Sequence, residues 1–304
     1  MLRSKFTLFL LLPLGLLSSS LLSCLNTSAH LTLINGQNVM EHIENIVSYG
    51  PHPAGSDAQQ KVSQYLVQQM SSIGLKVHTH SFHPITPQGR LKMQNIWGVI
   101  EGNQESVIIL ASHYDSKYCE DVSFIGANDS GSSSGLLLEL ARILANNNPT
   151  NHSLWIVFFD GEESFQKWSS IDSLYGSREF VKMLKRKGNL EKISTLILLD
   201  MIGNKNLQLV KDLNSSKWLN RIIWNKASQM GHGKIFVERG NVAAEDDHLP
   251  FAREGVPVVD IINLNYQYWH RKEDTLDKLS THSLTAVGNV ILSSLAEISQ
   301  SLEH

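Results

Sequence analysis

The sequence predicts an α/β fold: a single globular domain with a mixed, mostly parallel central β-sheet and helices on both faces. Three observations predict it. Short apolar runs alternate along the chain with longer segments of helical periodicity. Several of these runs are apolar at every position, as strands covered on both faces are. Two strand-like runs follow each other directly in the first third, so the sheet is mixed rather than wholly parallel.

Helical patterns cover roughly Gly36 to Tyr49 and Ala58 to Ile73. Strands are expected at Lys76 to Phe82, at Gln94 to Ile100, and at Val107 to Ser112, the last running into His113-Tyr114-Asp115. The turn-rich Gly126-Ala127-Asn128-Asp129-Ser130-Gly131 opens a helix to about Ala145, with Leu136, Leu140, Ile143 and Leu144 at helical spacing. Leu154 to Phe159 reads as a buried strand ending in Asp160-Gly161-Glu162-Glu163. A helix near Ser177 to Arg186 follows, and its Lys185-Arg186-Lys187 end reads as a solvated terminus. Leu196 to Leu199 delivers Asp200, Ser216 to Met230 is a helix, Val256 to Ile262 is strand-like, and Ser283 to Ser301 is a closing amphipathic helix.

The 304 residues are 42% hydrophobic and 18% charged, enough to bury a large core in one domain over 30–304. A net charge of -3, without a Lys/Arg tract interleaved with aromatics, excludes a nucleic-acid partner. Cys24 and Cys119 are the only cysteines, so a disulfide framework is excluded. Residues 1–29 read as a secretory signal: Arg3 and Lys5, then the apolar Phe6 to Leu17, then a small-residue region. Pro13, Gly15 and the limited length argue against a permanent spanning helix. Two processing patterns fit. Leu21-Leu22-Ser23-Cys24 resembles a lipobox that would place a lipid on Cys24, and Thr27-Ser28-Ala29 offers cleavage after Ala29. Either way the mature domain is expected to be secreted, or in the periplasm or cell envelope, touching a membrane only through that lipid.

The chemistry centres on Glu162 and Glu163. Adjacent carboxylates leaving a buried strand repel each other and lose hydration, so a cation must offset them. With a metal ion there, one glutamate can bind it while its neighbour moves protons. Taken alone, a Glu-Glu pair is more often two solvated acids. The company it keeps argues otherwise. His113, Asp200, Glu245-Asp246-Asp247-His248 and Tyr268-Trp269-His270 recur at or after the ends of successive strands. Open α/β sheets place their ligands there.

In that order, His113, Asp129, Glu162, Glu163, Asp200 and His270 resemble the zinc aminopeptidase-like fold family, from about Asn35 to Leu302. The two-metal members imply Asp129 as a bridge, Glu163 and His270 completing one zinc site, and His113 and Asp200 the other. One branch is the closer likeness, the glutaminyl-peptide cyclotransferases or glutaminyl cyclases. It is carried by His113 to Lys117, Asp160 to Phe165, Trp168, Asp172 to Arg178, Leu198 to Gly203, Glu245 to Phe251, Gly255 to Val258, Trp269-His270 and Asp274 to Asp277. The spacer from Glu163 to Gly176 is longer than the short turn of aminopeptidases and carries Trp168. Two features depart from that branch: the Gly/Ser-rich Gly126 to Gly135, and Cys119, which stands alone where animal relatives carry a disulfide.

The resemblance implies cyclisation of an N-terminal glutaminyl residue to pyroglutamate with release of ammonia. The partner is then a peptide or protein with N-terminal Gln, and the enzyme a monomer. One zinc would be held by Asp129, Glu163 and His270, with Glu162 as proton carrier. Asp200 and Asp246 would hydrogen-bond to and share protons with Glu162, and Trp168 and Trp269 would wall the pocket. His113 would orient neighbours rather than bind metal, and His248 would be structural. Blander readings make the two tryptophans packing residues and Asp246 a turn or N-cap residue. The alternative function is a two-zinc aminopeptidase using His113 and Asp200 as ligands. A silent binding protein is a third, against which a glutamate beside a complete ligand set counts.

Overall fold

The computed structural model of the chain describes residue 1 and residues 33–303. The expected signal segment, Cys24 and Ala29 lie outside the described residues. Helices α1 (Gly36–Ser48) and α2 (Asp57–Ser72) come first. The Asn35 side chain accepts the Gln37 N–H and the Ser56 side chain the Gln59 N–H, satisfying donors that a helix start leaves open. Strands β1 (Lys76–Phe82), β2 (Ile85–Thr86), β3 (Gly89–Arg90), β4 (Met93–Ile100) and β5 (Gln104–His113) follow. Then come α3 (Gly131–Asn146), β6 (His152–Phe159), α4 (Tyr175–Arg186), β7 (Ile193–Asp200), β8 (Leu209–Asp212), α5 (Lys217–Gln229) and β9 (Phe236–Val242). The last are α6 (Leu249–Ala252), β10 (Val258–Ile262) and α7 (Thr281–Leu302).

The main sheet has the order β1-β4-β6-β5-β7-β10. Strands β6, β5, β7 and β10 are parallel, while β4 runs antiparallel to β6 and to β1. The predicted mixed sheet is therefore present, with its antiparallel part at the β1 edge. Successive side chains of β5 point to opposite faces, as strand geometry requires. Ile108 and Leu110 join a core layer with Ile43, Leu66, Leu140 and Leu295, from α1, α2, α3 and α7. Ile109 and Ala111 join the opposite layer with Phe159, Phe180 and Phe251, beneath α4 and α6. Each such Ile, Leu or Phe side chain contributes roughly 1.5–3 kcal/mol on burial, and helices do cover both faces.

Element boundaries differ from the sequence reading by a few residues. The parallel pair β8/β9 and the hairpin β2/β3 were not expected. Their residues are few, and β9 is largely exposed, so neither carries a hydrophobic period to read. Cys119 is half-buried and unpaired. Among the described residues, no helix is long and apolar enough to cross a membrane.

Candidate active site

Four parallel strands deliver their carboxyl ends to one edge of the sheet. Strand β5 ends on His113, β7 ends on Asp200, and β6 runs into the turn Asp160-Gly161-Glu162-Glu163. Gly161 sits at φ 71°, and a Cβ there would lie 2.7 Å from the Met93 sulfur, so the turn needs glycine. A buried carboxylate organises the backbone of this turn. Asp115 Oδ1 accepts the N–H of Gly161 at 2.9 Å and of Glu162 at 3.1 Å, and Oδ2 accepts that of Glu163 at 3.3 Å. These donors replace the water Asp115 has lost and aim both glutamates. Asp172 likewise accepts the N–H groups of Phe165, Gln166 and Lys167, shaping the loop that carries Trp168.

Asp129, Glu163 and His270 meet at this edge, each offering a ligand atom within 4.8 Å of the others. His270 Nε2 lies 2.8 Å from Glu163 Oε1 and 3.5 Å from Asp129 Oδ2. Behind Asp129, Asp274 accepts the backbone N–H of Asn128 at 2.9 Å and of Asp129 at 3.1 Å, and the Tyr266 hydroxyl at 2.7 Å. A second trio shares Asp129: His113 Nε2 stands 3.2 Å from both Asp129 Oδ1 and Asp200 Oδ1. Leu174, Met201 and His270 hold φ between 49° and 55°, unusual for residues with a Cβ. All three adjoin the Glu162 turn, Asp200 or the Asp129/Glu163 pair, and such strain of about 1–3 kcal/mol each is typical of functional sites.

The electrostatics separate the two glutamates. Burial, then the charge of Glu163, then that of Asp246 push the Glu162 carboxyl well above its usual range. Burial also pushes Glu163 upward, but His270, Lys117 and His113 outweigh it and bring it down to about 2. Asp129 is pushed up to about 6 by burial and by the facing Glu163. Burial, then Asp200 and Asp247, raise Asp246 strongly. At His113, burial lowers the pKa, and the hydrogen bonds to Asp115, Asp129 and Asp200 more than reverse that.

A divalent cation fits the Asp129, Glu163 and His270 trio. Asp129 Oδ2 and Glu163 Oε2 are buried without a hydrogen-bond donor. Lys117 Nζ, 3.3 Å from Glu163 Oε2, bonds instead to the Ser164 carbonyl and hydroxyl. One imidazole nitrogen with two carboxylates is a zinc-type donor set that leaves a position open.

Other expected residues fall as follows. Asp246 is buried beside the site and is not the N-cap of α6; its Oδ1 accepts the Asp247 N–H at 2.6 Å. The direct hydrogen bonds expected from Asp246 and Asp200 to Glu162 are not formed among the described residues. Asp200 instead faces His113, whose Nε2 lies 3.2 Å from Asp200 Oδ1, while the charge of Asp246 acts on Glu162 through space. Trp168 is half-buried, with its indole N–H donated to Glu245 Oε2 at 2.9 Å. Trp269 is 45% exposed beside the His270 ring, which does not suit a packing residue. His248 is fully buried between Asp212 and Asp260 and belongs to neither trio. The sequence reading assigned no role to Asp115, Asp274, Lys117 or Glu245. All four lie in stretches that carried the family resemblance, His113 to Lys117, Glu245 to Phe251 and Asp274 to Asp277.

The model of peptidase family M28 matches residues 95–295. The chain is 31% identical to a glutaminyl-peptide cyclotransferase of Drosophila melanogaster over 265 residues, covering 78% of this chain and 75% of that protein. The chain belongs to the glutaminyl-peptide cyclotransferases of peptidase family M28. Among solved structures of this fold, an Acidobacteriales bacterium glutaminyl cyclase is 38% identical, with a TM-score of 0.84 over 89% of this chain and 96% of that one. A Zn-dependent exopeptidase from Parabacteroides distasonis is 25% identical, with a TM-score of 0.80 over 88% of this chain and 99% of that one. The cyclotransferase and exopeptidase likenesses thus share one fold, and the side chains at the sheet edge must decide between their chemistries.

Proposed function

We propose that this cyclotransferase-family chain converts N-terminal glutaminyl residues of peptides and proteins to pyroglutamate and ammonia, at one zinc held by Asp129, Glu163 and His270. The observation that carries this reading is the divergence of two adjacent glutamates: Glu163 is drawn down toward its charged, ligating form, and Glu162 is pushed well above its usual range toward its protonated form. Bound zinc supplies a Lewis acid for the side-chain carbonyl and offsets charge developing on its oxygen. The α-amine nitrogen forms the new bond to the side-chain carbonyl carbon as the bond to the amide nitrogen breaks. Glu162 takes the proton lost by the amine and returns it to the departing ammonia, so it ends the cycle as it began. Asp246 biases that exchange through its charge, with Asp200 beside it acting on Asp246, and Trp168 and Trp269 would hold the glutamine side chain folded toward its own amine. The N-terminal segment supports export, with either a lipid on Cys24 or cleavage near Ala29.

One observation favours a second reading, a two-zinc aminopeptidase: His113, Asp129 and Asp200 preserve a second trio able to hold metal. The deciding experiment is mass spectrometry of a Gln-initiated peptide incubated with the zinc-loaded enzyme. Loss of one ammonia with the chain intact is expected. Release of free N-terminal residues would overturn the cyclase reading and make His113 and Asp200 ligands.

A further inference from the structure

Helix α4 carries Arg178, Lys182, Lys185 and Arg186, spaced so that they share one side of the helix. That side faces α6, and between them runs a groove of about 510 Å³ lined by these four residues, Arg253 and a single carboxylate, Glu254. In a protein of net charge -3, composition does not explain five cations around one groove. Their local partners leave much of the charge uncompensated. Lys185 pairs with Glu254 at 2.9 Å, and Glu179 serves both Arg186 at 2.9 Å and Lys182 at 3.8 Å. Arg178 bonds to the Leu174 and Ser170 carbonyls and lies over the Tyr175 ring, none of which carries a charge. Arg253 is exposed and, among the described residues, has no carboxylate partner.

The groove adjoins a cavity that reaches Trp168. Arg178 and Arg253 also line a smaller cavity of about 170 Å³, whose other walls include Trp168 and Glu245. Glu245 adjoins Asp246, and its carboxylate is engaged by the Trp168 indole. Arg253 and Arg178 stand beside the Trp168 wall and Lys182 and Lys185 line the groove beyond it, in the order a chain leaving that wall would meet them.

We propose that this basic groove is an extended subsite for acidic residues a few positions downstream of the N-terminal glutamine, so that the enzyme prefers Gln-initiated peptides carrying an acidic segment. The proposal rests on the cyclase reading. An acidic segment is favoured over an anionic membrane because Arg178 and Arg253 line both this groove and the cavity walled by Trp168 and Glu245, so the cations continue from the Trp168 wall. Exposed ion pairs are individually weak and salt-sensitive, so the preference depends on several acting together.

The test compares two fluorescent peptides that share Gln-Gly-Ser at the start and differ in carrying Glu-Glu-Glu or Gln-Gln-Gln next. With zinc-loaded full chain at low salt, kcat/KM for the acidic peptide should be about three- to tenfold higher, and the gap should close as salt rises. The double variant Lys182→Glu with Arg253→Glu should abolish the preference while leaving turnover of a Gln dipeptide unchanged. Equal kcat/KM for both peptides in the parent enzyme overturns the proposal, as does a preference that survives the double reversal. If no Gln peptide is turned over, the cyclase reading fails, and anisotropy with the N-acetylated acidic peptide judges the groove by itself. Binding lost in the double variant supports it; absent or unchanged binding overturns it. Equal turnover together with charge-dependent binding to phosphatidylglycerol vesicles would assign the groove to a membrane instead.

Discussion

Replacing Glu162 by Gln separates proton transfer from metal binding. The side chain is 8% exposed, and the amide keeps its shape and volume. Its carboxyl is raised well above the ordinary 4.5 by burial, then Glu163, then Asp246. Each unit of that rise costs the charged form about 1.4 kcal/mol. The sign follows from proton binding. The folded state holds a proton that the unfolded chain releases above about pH 4.5, so the parent loses stability as pH rises from there toward the folded value. A Gln side chain cannot ionise and escapes that loss. Stability at pH 8 is therefore expected to rise, while below pH 4 the two proteins should melt together. Turnover should fall by about 10²–10⁴, the usual worth of a positioned acid–base group. Zinc content should not change, because Glu162 belongs to neither trio of ligand atoms. The assays are pyroglutamate formation, metal analysis of the dialysed protein and thermal melts at two pH values. Full retention of kcat would refute the proton-carrier role, and loss of zinc would refute the division of labour between the glutamates.

Three further predictions follow from the same geometry. Asp115→Asn should cost about 2–3 kcal/mol, because buried N–H donors of the 161–163 turn lose a charged acceptor; zinc content and kcat should fall together, and a stable variant with normal zinc would contradict the positioning argument. Stripping the metal should lower Tm, and readdition at a thousandfold excess over Kd should recover about 4 kcal/mol; a zinc-independent melt would mean the Asp129, Glu163 and His270 trio holds no ion. Trp269→Ala should raise KM for Gln peptides yet stay within about 0.5 kcal/mol in stability, since that indole is already 45% exposed; a large drop in Tm would make it a packing residue.

Periodicity alone located the main strands and helices, because strands buried on both faces and helices buried on one leave different hydrophobic patterns. The same logic failed where burial is slight, at β9, and where an element is two residues long, at β2 and β3. Of the site, His113, Asp129, Glu162, Glu163, Asp200, Asp246 and His270 were legible as acids and histidines at or after strand ends, and the structure gathers them at one sheet edge. Their division of labour was less legible. Asp200 and Asp246 were expected to bond to Glu162, and the fold instead gave Asp200 a histidine donor.

The order and polarity of the residues by themselves determined that a mixed sheet would form and that acidic groups would collect at its carboxyl edge, since hydrophobic period and strand direction are local properties. Tertiary structure alone decided which buried carboxylate meets a proton donor, which meets another carboxylate, and which accepts three backbone N–H groups from 46 to 48 residues away, as Asp115 does. It also turned the cations of α4 from a solvated helix end into one wall of a groove shared with Arg253. Charge interactions depend on distance and burial through space, and neither is written in the spacing of residues along a chain.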